Sequence, residues 1–191
     1  MDLVLASTSP YRRVLLERLG LAFRCRAPRI DEDVWKRRGL SPRKLADQLA
    51  VAKAESLIAE EPAAILIGSD QLVAFEGRIL GKPGNSERAV EQLFSMSGKT
   101  HELITALAVW HDGTWHTHTD IATLQFRSLT RLEIERYVEA DRPLDCAGAY
   151  KLESLGITLF DRITCADHSA ITGLPLIALT SILRDLGGAI P

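Results

Sequence analysis

The stretch "AAILIGSDQLV", residues 63–73, limits the fold more than any other part of the chain. Five apolar residues, Ala63 to Ile67, run without a polar break into Gly68-Ser69-Asp70. A strand with one wet face alternates apolar and polar residues. A continuous apolar run marks a strand covered on both faces, and such strands belong to sheets with helices on either side. The rest of the pattern agrees. "LVLA", Leu3 to Ala6, reads as a short strand leading into a helix with Ser9 as N-cap and Pro10 at its first position. Leu15, Leu16 and Leu19 form the inward face of that helix, and Gly20 stops it.

The same punctuation continues downstream. "AFRCRAP" is a second strand and the acidic "RIDEDVW" a loop, and Ser41-Pro42 start a long helix expected to run to about Glu60. Asp70 is expected at the end of the apolar strand, with a second extended piece turning at Glu76-Gly77. A helix capped by Ser86 ends near Gly98. Two strands from His101 to Phe126 meet at Asp112-Gly113, a strong hairpin signal. "TRLEIERYVEA" is a helix, "GITLFDRI" a strand, and "PLIALTSILRDLG" a last helix closed by Gly187. We therefore expect one α/β domain over residues 1–191, a mixed sheet flanked by helices.

Composition excludes several classes. With 46% hydrophobic and 25% charged residues the chain is neither disordered nor membrane-like, and no apolar run nears the roughly 18 residues needed to span a bilayer. A net charge of −2 argues against a nucleic-acid polymer as partner, because a surface that follows phosphates carries a basic excess. Cys25, Cys146 and Cys165 are odd in number and widely spaced, which favours free thiols in a reducing compartment. Asp2 and the four-residue apolar segment after it do not make a signal peptide. The expected location is cytoplasmic.

Four constellations carry chemistry. The turn Ser7 to Arg13 combines a helix start with Ser7, Thr8, Ser9, Arg12 and Arg13, all donors that suit phosphate oxygens; the plain alternative is a capped helix with two solvated arginines. Asp70 follows a buried run, where desolvation and neighbouring charges set its proton affinity. Lys53 shares the i,i+4 apolar stripe of Leu45, Leu49 and Leu57, so it either snorkels past the core edge or meets a buried anion. Lys82 lies in the glycine-bordered turn "GKPG". The fourth constellation is "IDED", Ile30 to Asp33, which offers the oxygen ligands that Mg²⁺ or Mn²⁺ prefers. His116, His118 and Asp120 also share a strand face, but residues spaced by two along a strand lie awkwardly far apart for one tetrahedral ion, and we read them as a polar hairpin.

In order and spacing, "LASTSPYRRVLLERLG", "APRIDE", Lys53-Ala54, "IGSDQ", "GKP", "DCAGAY" and "ITGLPL" resemble the Maf family of nucleoside triphosphate pyrophosphatases over nearly the whole chain. The resemblance implies an elongated α/β fold similar to the inosine triphosphate pyrophosphatases. It also implies metal-dependent cleavage of a nucleotide between its α and β phosphates. Carried over by position, it makes Asp70 the catalytic proton acceptor and makes Ser7, Arg12, Arg13, Lys53 and Lys82 phosphate-binding groups. Glu32, with Asp70, becomes the holder of a divalent cation, Mg²⁺ or Mn²⁺. The implied partner is a small-molecule nucleotide, with no membrane and with a homodimer left open. Tyr11, Gln71 and Glu153 look like the 7-methyl-GTP branch, where the dTTP and UTP branch usually has arginine, threonine and glutamine. An aromatic face and a carboxylate suit the positive charge of 7-methylguanine. The alternatives are a dTTP/UTP pyrophosphatase and a nucleotide-sensing regulator of division that does not hydrolyse.

Overall fold

The computed structural model describes residues 1–190. A seven-stranded mixed sheet carries the chain. Its strands are β1 (Leu3–Ala6), β2 (Phe23–Arg26), β3 (Ile65–Phe75), β4 (Arg78–Leu80), β5 (Thr100–His111), β6 (Thr114–Phe126) and β7 (Phe160–Thr164). The hydrogen-bonded order is β2-β1-β3-β5-β6-β7, with β4 paired to β3 off that path. The helices are α1 (Pro10–Glu17), α2 (Glu32–Lys36), α3 (Pro42–Glu55), α4 (Ser86–Met96), α5 (Arg131–Asp141), α6 (His168–Thr172) and α7 (Leu176–Asp185). An α/β chain with helices flanking a mixed sheet is what the alternation of signals led us to expect. The described residues pack as two compact units.

The first unit comprises Met1–Gln71, Thr105–Asp120 and the chain from Asp167. In it β1 lies parallel to both β2 and β3, with Leu3, Val4 and Leu5 opposite Ile65, Leu66 and Ile67. Alternate side chains go to opposite faces. Leu3, Leu5, Ile65 and Ile67 pack with Leu15, Leu16, Leu179 and Leu183 of α1 and α7. Val4, Ala6, Ala64 and Leu66 pack with Ala54 of α3 and with Leu57 just after it. Coverage on both faces is the physical reason for the unbroken apolar run. At Gly68 the helix meets the strand backbone to backbone, since an added Cβ would stand 2.1 Å from the Ala50 carbonyl oxygen.

The second unit comprises Leu72–Ile104 and Ile121–Ala166. Here the far end of β3 pairs antiparallel with β4, and the far end of β6 pairs antiparallel with β7. The helices α4 and α5 pack on each other. A capping box between Thr130 and Glu133 starts α5. A buried ring cluster of His101, Phe126 and Tyr150 with half-buried Phe160 fills the unit's interior, its closest pair being Phe126 and Phe160 at 4.3 Å.

Several local expectations are corrected. Residues 29–35 are not all loop: Asp31 caps α2 by accepting from the Asp33 N–H, Glu32 and Asp33 fill the first turn, and Lys36 closes the last, an order that matches the helix dipole. Asp70 lies in the middle of an eleven-residue strand, not at its end, because the apolar pattern resumes at Leu72 and Val73. Asn85, not Ser86, caps α4. The long helix α3 stops at Glu55, five residues early, where the Ser56 hydroxyl bonds back to the Lys53 carbonyl. The first half of 156–163 is a 3₁₀ turn, Leu155–Leu159, and only the second half is strand.

Candidate functional site

The register of β3 sets the site. Leu66, Gly68 and Asp70 point to the face covered by α3, and because Gly68 has no side chain, α3 sits close enough for its own polar residue to reach the strand. That residue is Lys53. It lies three positions after Ala50, on the stripe that also buries Leu49 and Leu57. Its Nζ donates to Asp70 Oδ1 at 2.6 Å and pairs with Glu32 Oε1 at 2.9 Å. Both Lys53 and Asp70 are 5% exposed, so the buried anion, not snorkelling, accounts for this lysine. Glu32 reaches the pair from the first turn of α2 and is more open to solvent.

Burial raises the Asp70 carboxyl above its usual range, opposed by Lys53 and then Arg12. For Glu32 burial pushes the same way, but the charge and hydrogen bond of Lys53, with Lys36 and Arg12 behind it, win and hold it below its ordinary value. Burial lowers Arg12, while Asp70 and Glu32 act against that change. The four groups form one electrostatic unit. Asp70 Oδ2 is buried and has no hydrogen-bond partner. A group in that state carries a desolvation cost of about 1–3 kcal/mol or more, which a donor or cation reaching it would relieve.

The opposite face of β3 carries Ser69 and Gln71, which meet α6 and the turn after it. Ser69 Oγ donates to the Gly173 carbonyl at 2.9 Å, and Arg12 Nε donates to the same oxygen at 2.8 Å. Gly173 has φ +117°, and its open side packs on the Arg12 side chain. With Nε held there, the guanidinium edge keeps its remaining donors for another acceptor. Gln71 Nε2 lies 2.8–2.9 Å from the Ala170 and Ile171 carbonyls and the Thr105 hydroxyl, which itself donates to Ala170. Thr105 lies in "ITA", Ile104 to Ala106. Asp167 fixes the turn from the other side: Oδ1 accepts from the Ser169 N–H and hydroxyl, and Oδ2 accepts from the Ile177 N–H at the start of α7.

The loop before α1 is built as the Ser-Pro signal implies. Ser7 is buried and accepts from the Ser9 N–H at 3.1 Å, Ser9 caps the helix by accepting from the Arg12 N–H, and Pro10 occupies the first turn. Arg13 points elsewhere: it is exposed and pairs with Glu17 at 3.0 Å. Tyr11 is half-buried. Lys82 and Glu153 belong to the second unit, both exposed, in the turn after β4 and in the turn before residues 155–159 respectively. The structure thus gathers Arg12, Glu32, Lys53 and Asp70, and places Ser7 and Gln71 in the adjoining loop and strand. Sequence reasoning missed Ser69, Thr105, Asp167 and Gly173. The Asp167-x-Ser169 pattern, an N-cap signature, was the one available signal for that turn.

His118 pairs with Asp120 at 2.9 Å on the hairpin. Among the described residues no group of three His, Cys, Asp or Glu side chains gathers in a way that could hold a metal ion. Two carboxylates do converge at Lys53, an all-oxygen donor set that suits Mg²⁺ or Mn²⁺ when substrate and water supply the other ligands. Asp70 Oδ2 is unpartnered, so this acid keeps binding capacity beyond the oxygen that faces Lys53. The residues present therefore fit such an ion.

Fold and site together define an α/β protein in which Arg12, Glu32 and Lys53, from three helices, gather around the buried Asp70 of β3. A family model described as Maf-like protein matches residues 2–186, and the chain belongs to the Maf family. A relative from Bdellovibrio bacteriovorus, named 7-methyl-GTP pyrophosphatase, is 51% identical over 96% of each chain. Relatives of the same name from Xanthomonas axonopodis and Pseudomonas aeruginosa are 49% and 45% identical, over 99% and 100% of this chain and 98% and 99% of their own. The solved Ham1 protein of Staphylococcus aureus aligns over 67% of this chain and 73% of its own, at 13% identity and a TM-score of 0.47, too slight a likeness to carry any part of the assignment.

Proposed function

We propose that this chain hydrolyses 7-methyl-GTP to 7-methyl-GMP and pyrophosphate. The name shared by full-length relatives at 45–51% identity supports the substrate. The observation that carries the chemistry is Asp70: a buried carboxylate with one oxygen on an ammonium and the other unpartnered. Burial keeps its proton affinity up, which suits a group that must take a proton from water.

In this reading water attacks the α-phosphorus, the bond from that phosphorus to the bridging oxygen breaks, and pyrophosphate leaves. Asp70 Oδ2 orients the water and accepts its proton. Arg12, its Nε fixed by the Gly173 carbonyl, presents its other N–H groups to phosphate oxygens, and Lys53 adds a second positive charge. A divalent cation, Mg²⁺ or Mn²⁺, held by Glu32 and Asp70, would neutralise charge on the phosphates. Ser7, Arg13 and Lys82 are assigned to phosphate binding, and Tyr11, Gln71 and Glu153 to base choice, by the family resemblance. A cytoplasmic location belongs to the same reading, supported by Cys25, Cys146 and Cys165, none of which forms a disulfide. No helix among the described residues is long and apolar enough to cross a membrane.

The test is a pyrophosphate-release screen with Mg²⁺ or Mn²⁺ over ordinary and modified nucleoside triphosphates. We expect 7-methyl-GTP to be turned over at least tenfold more efficiently than dTTP, UTP or GTP. Preference for dTTP and UTP would move the chain to the other branch, and no release from any nucleotide would leave a binding protein.

A further inference from the structure

The cation between the two carboxylates of the site is a side chain. Glu32 Oε1 and Asp70 Oδ1 approach one nitrogen, Lys53 Nζ, at 2.9 and 2.6 Å. The second oxygen of Asp70 is buried and unpartnered, so the lysine satisfies this acid only in part. A divalent ion placed between Glu32 and Asp70 would need the same seat, at the shorter metal–oxygen distance of about 2.0–2.1 Å for Mg²⁺. An ammonium and a divalent ion cannot share it, because their repulsion at such a separation is set against the same two negative charges.

We propose that Lys53 is a built-in stand-in for the metal. In the nucleotide-free protein its ammonium holds Glu32 and Asp70 together, and it leaves their shared seat for the oxygens of an incoming triphosphate when a divalent cation takes its place. The proposal rests on the metal-dependent reading given above. Removing the ammonium without replacing it would leave a buried carboxylate uncompensated, a costly state, so departure of the lysine and arrival of the ion are coupled. The four-carbon stem gives Lys53 the freedom to swing while its backbone stays in α3. The free protein then binds the metal weakly, and metal and nucleotide strengthen each other's binding by the same factor.

The experiment measures Mn²⁺ binding to the nucleotide-free full chain from the spin-resonance signal of unbound Mn²⁺. Four proteins are compared: wild type, Lys53→Met, Lys53→Met with Asp70→Asn, and Lys36→Met. Lys36 pairs with Glu32 at 3.7 Å, so its loss removes an equal charge nearby without vacating the seat. Lys53→Met is expected to bind Mn²⁺ at least tenfold tighter than wild type, the double variant to lose that gain, and Lys36→Met to change affinity less than threefold. Equal or weaker binding by Lys53→Met, a gain that survives Asp70→Asn, or an equal gain in Lys36→Met would each overturn the proposal. Should Lys53→Met be unfolded without metal, its circular dichroism in Mn²⁺ decides: recovery of structure at micromolar Mn²⁺ supports the exchange and no recovery overturns it. Pyrophosphate release by wild type is read alongside. An active wild type with unchanged Mn²⁺ affinity in Lys53→Met ends the exchange and leaves the enzyme standing. An inactive wild type ends the enzymatic reading, while the Mn²⁺ comparison is still read on the protein alone.

Discussion

In the first unit a buried carboxylate faces an ammonium and lies in the field of a guanidinium; in the second, a buried imidazole faces a phenol and two phenyl rings. The same desolvation acts on both and the outcomes differ. Around Asp70, the opposite charges of Lys53 and Arg12 work against the burial that raises its carboxyl, so each buried charge has a counter-charge nearby. Around His101 no charge answers, and burial alone pulls the imidazole down to about 4. Its Nε2 meets the Tyr150 hydroxyl at 2.8 Å, and its Nδ1 has no partner. One polar interior is arranged to exchange cations, and the other excludes them. The first suits a site and the second a core.

Breaking the charged cluster should have the larger effect on stability. Asp70→Ala leaves Lys53 with only the more exposed Glu32 as partner, and breaking a buried pair in this way costs roughly 3–5 kcal/mol. Urea unfolding at neutral pH is expected to show a loss in that range with an unchanged slope. A loss under 1 kcal/mol would mean that the pair is solvated and that the contrast between the two regions is overstated.

The aromatic cluster sharpens the comparison through pH. The folded-state value of His101 lies below the ordinary 6.5, so between 6.5 and about 4 the unfolded chain binds a proton that the folded chain refuses. Stability on this account is intact above 6.5 and falls as the pH drops toward 4, by roughly 3 kcal/mol in total. Urea unfolding of wild type and His101→Phe across pH 4 to 7 isolates the contribution, since carboxylates titrating elsewhere cancel in the difference. Parallel pH profiles for the two proteins would show that His101 can be protonated in place.

How much of this could be read from the sequence depends on how local each signal is. The Ser-Pro helix starts, the Asp112-Gly113 hairpin and the doubly covered strand rest on neighbouring residues, and the structure has them where the pattern puts them. Lys53 stands out in the sequence because a charge on an apolar helical stripe is anomalous, but only its partner, seventeen positions away, separates the two readings. The polar turn of the chain at Gly68-Ser69-Asp70 points to a strand end at Asp70. The strand instead continues, since Ser69 and Gln71 have acceptors waiting about a hundred residues downstream at Gly173, Ala170 and Ile171. No window of sequence shows those acceptors. The same long-range pairing complicates the base-choice assignment of Gln71: its amide nitrogen is occupied by α6 and Thr105, so Gln71→Thr removes these bonds along with any contact to a base.

The most direct test of the central claim is pyrophosphate release by Asp70→Asn, measured beside nucleotide affinity in the same protein. The amide keeps the shape of the side chain but cannot take the proton of the attacking water. Turnover of 7-methyl-GTP is expected to fall by about 10³-fold or more, roughly 4 kcal/mol in barrier, with nucleotide affinity measured without divalent metal within a few-fold of wild type. Near-normal turnover in Asp70→Asn would contradict the account.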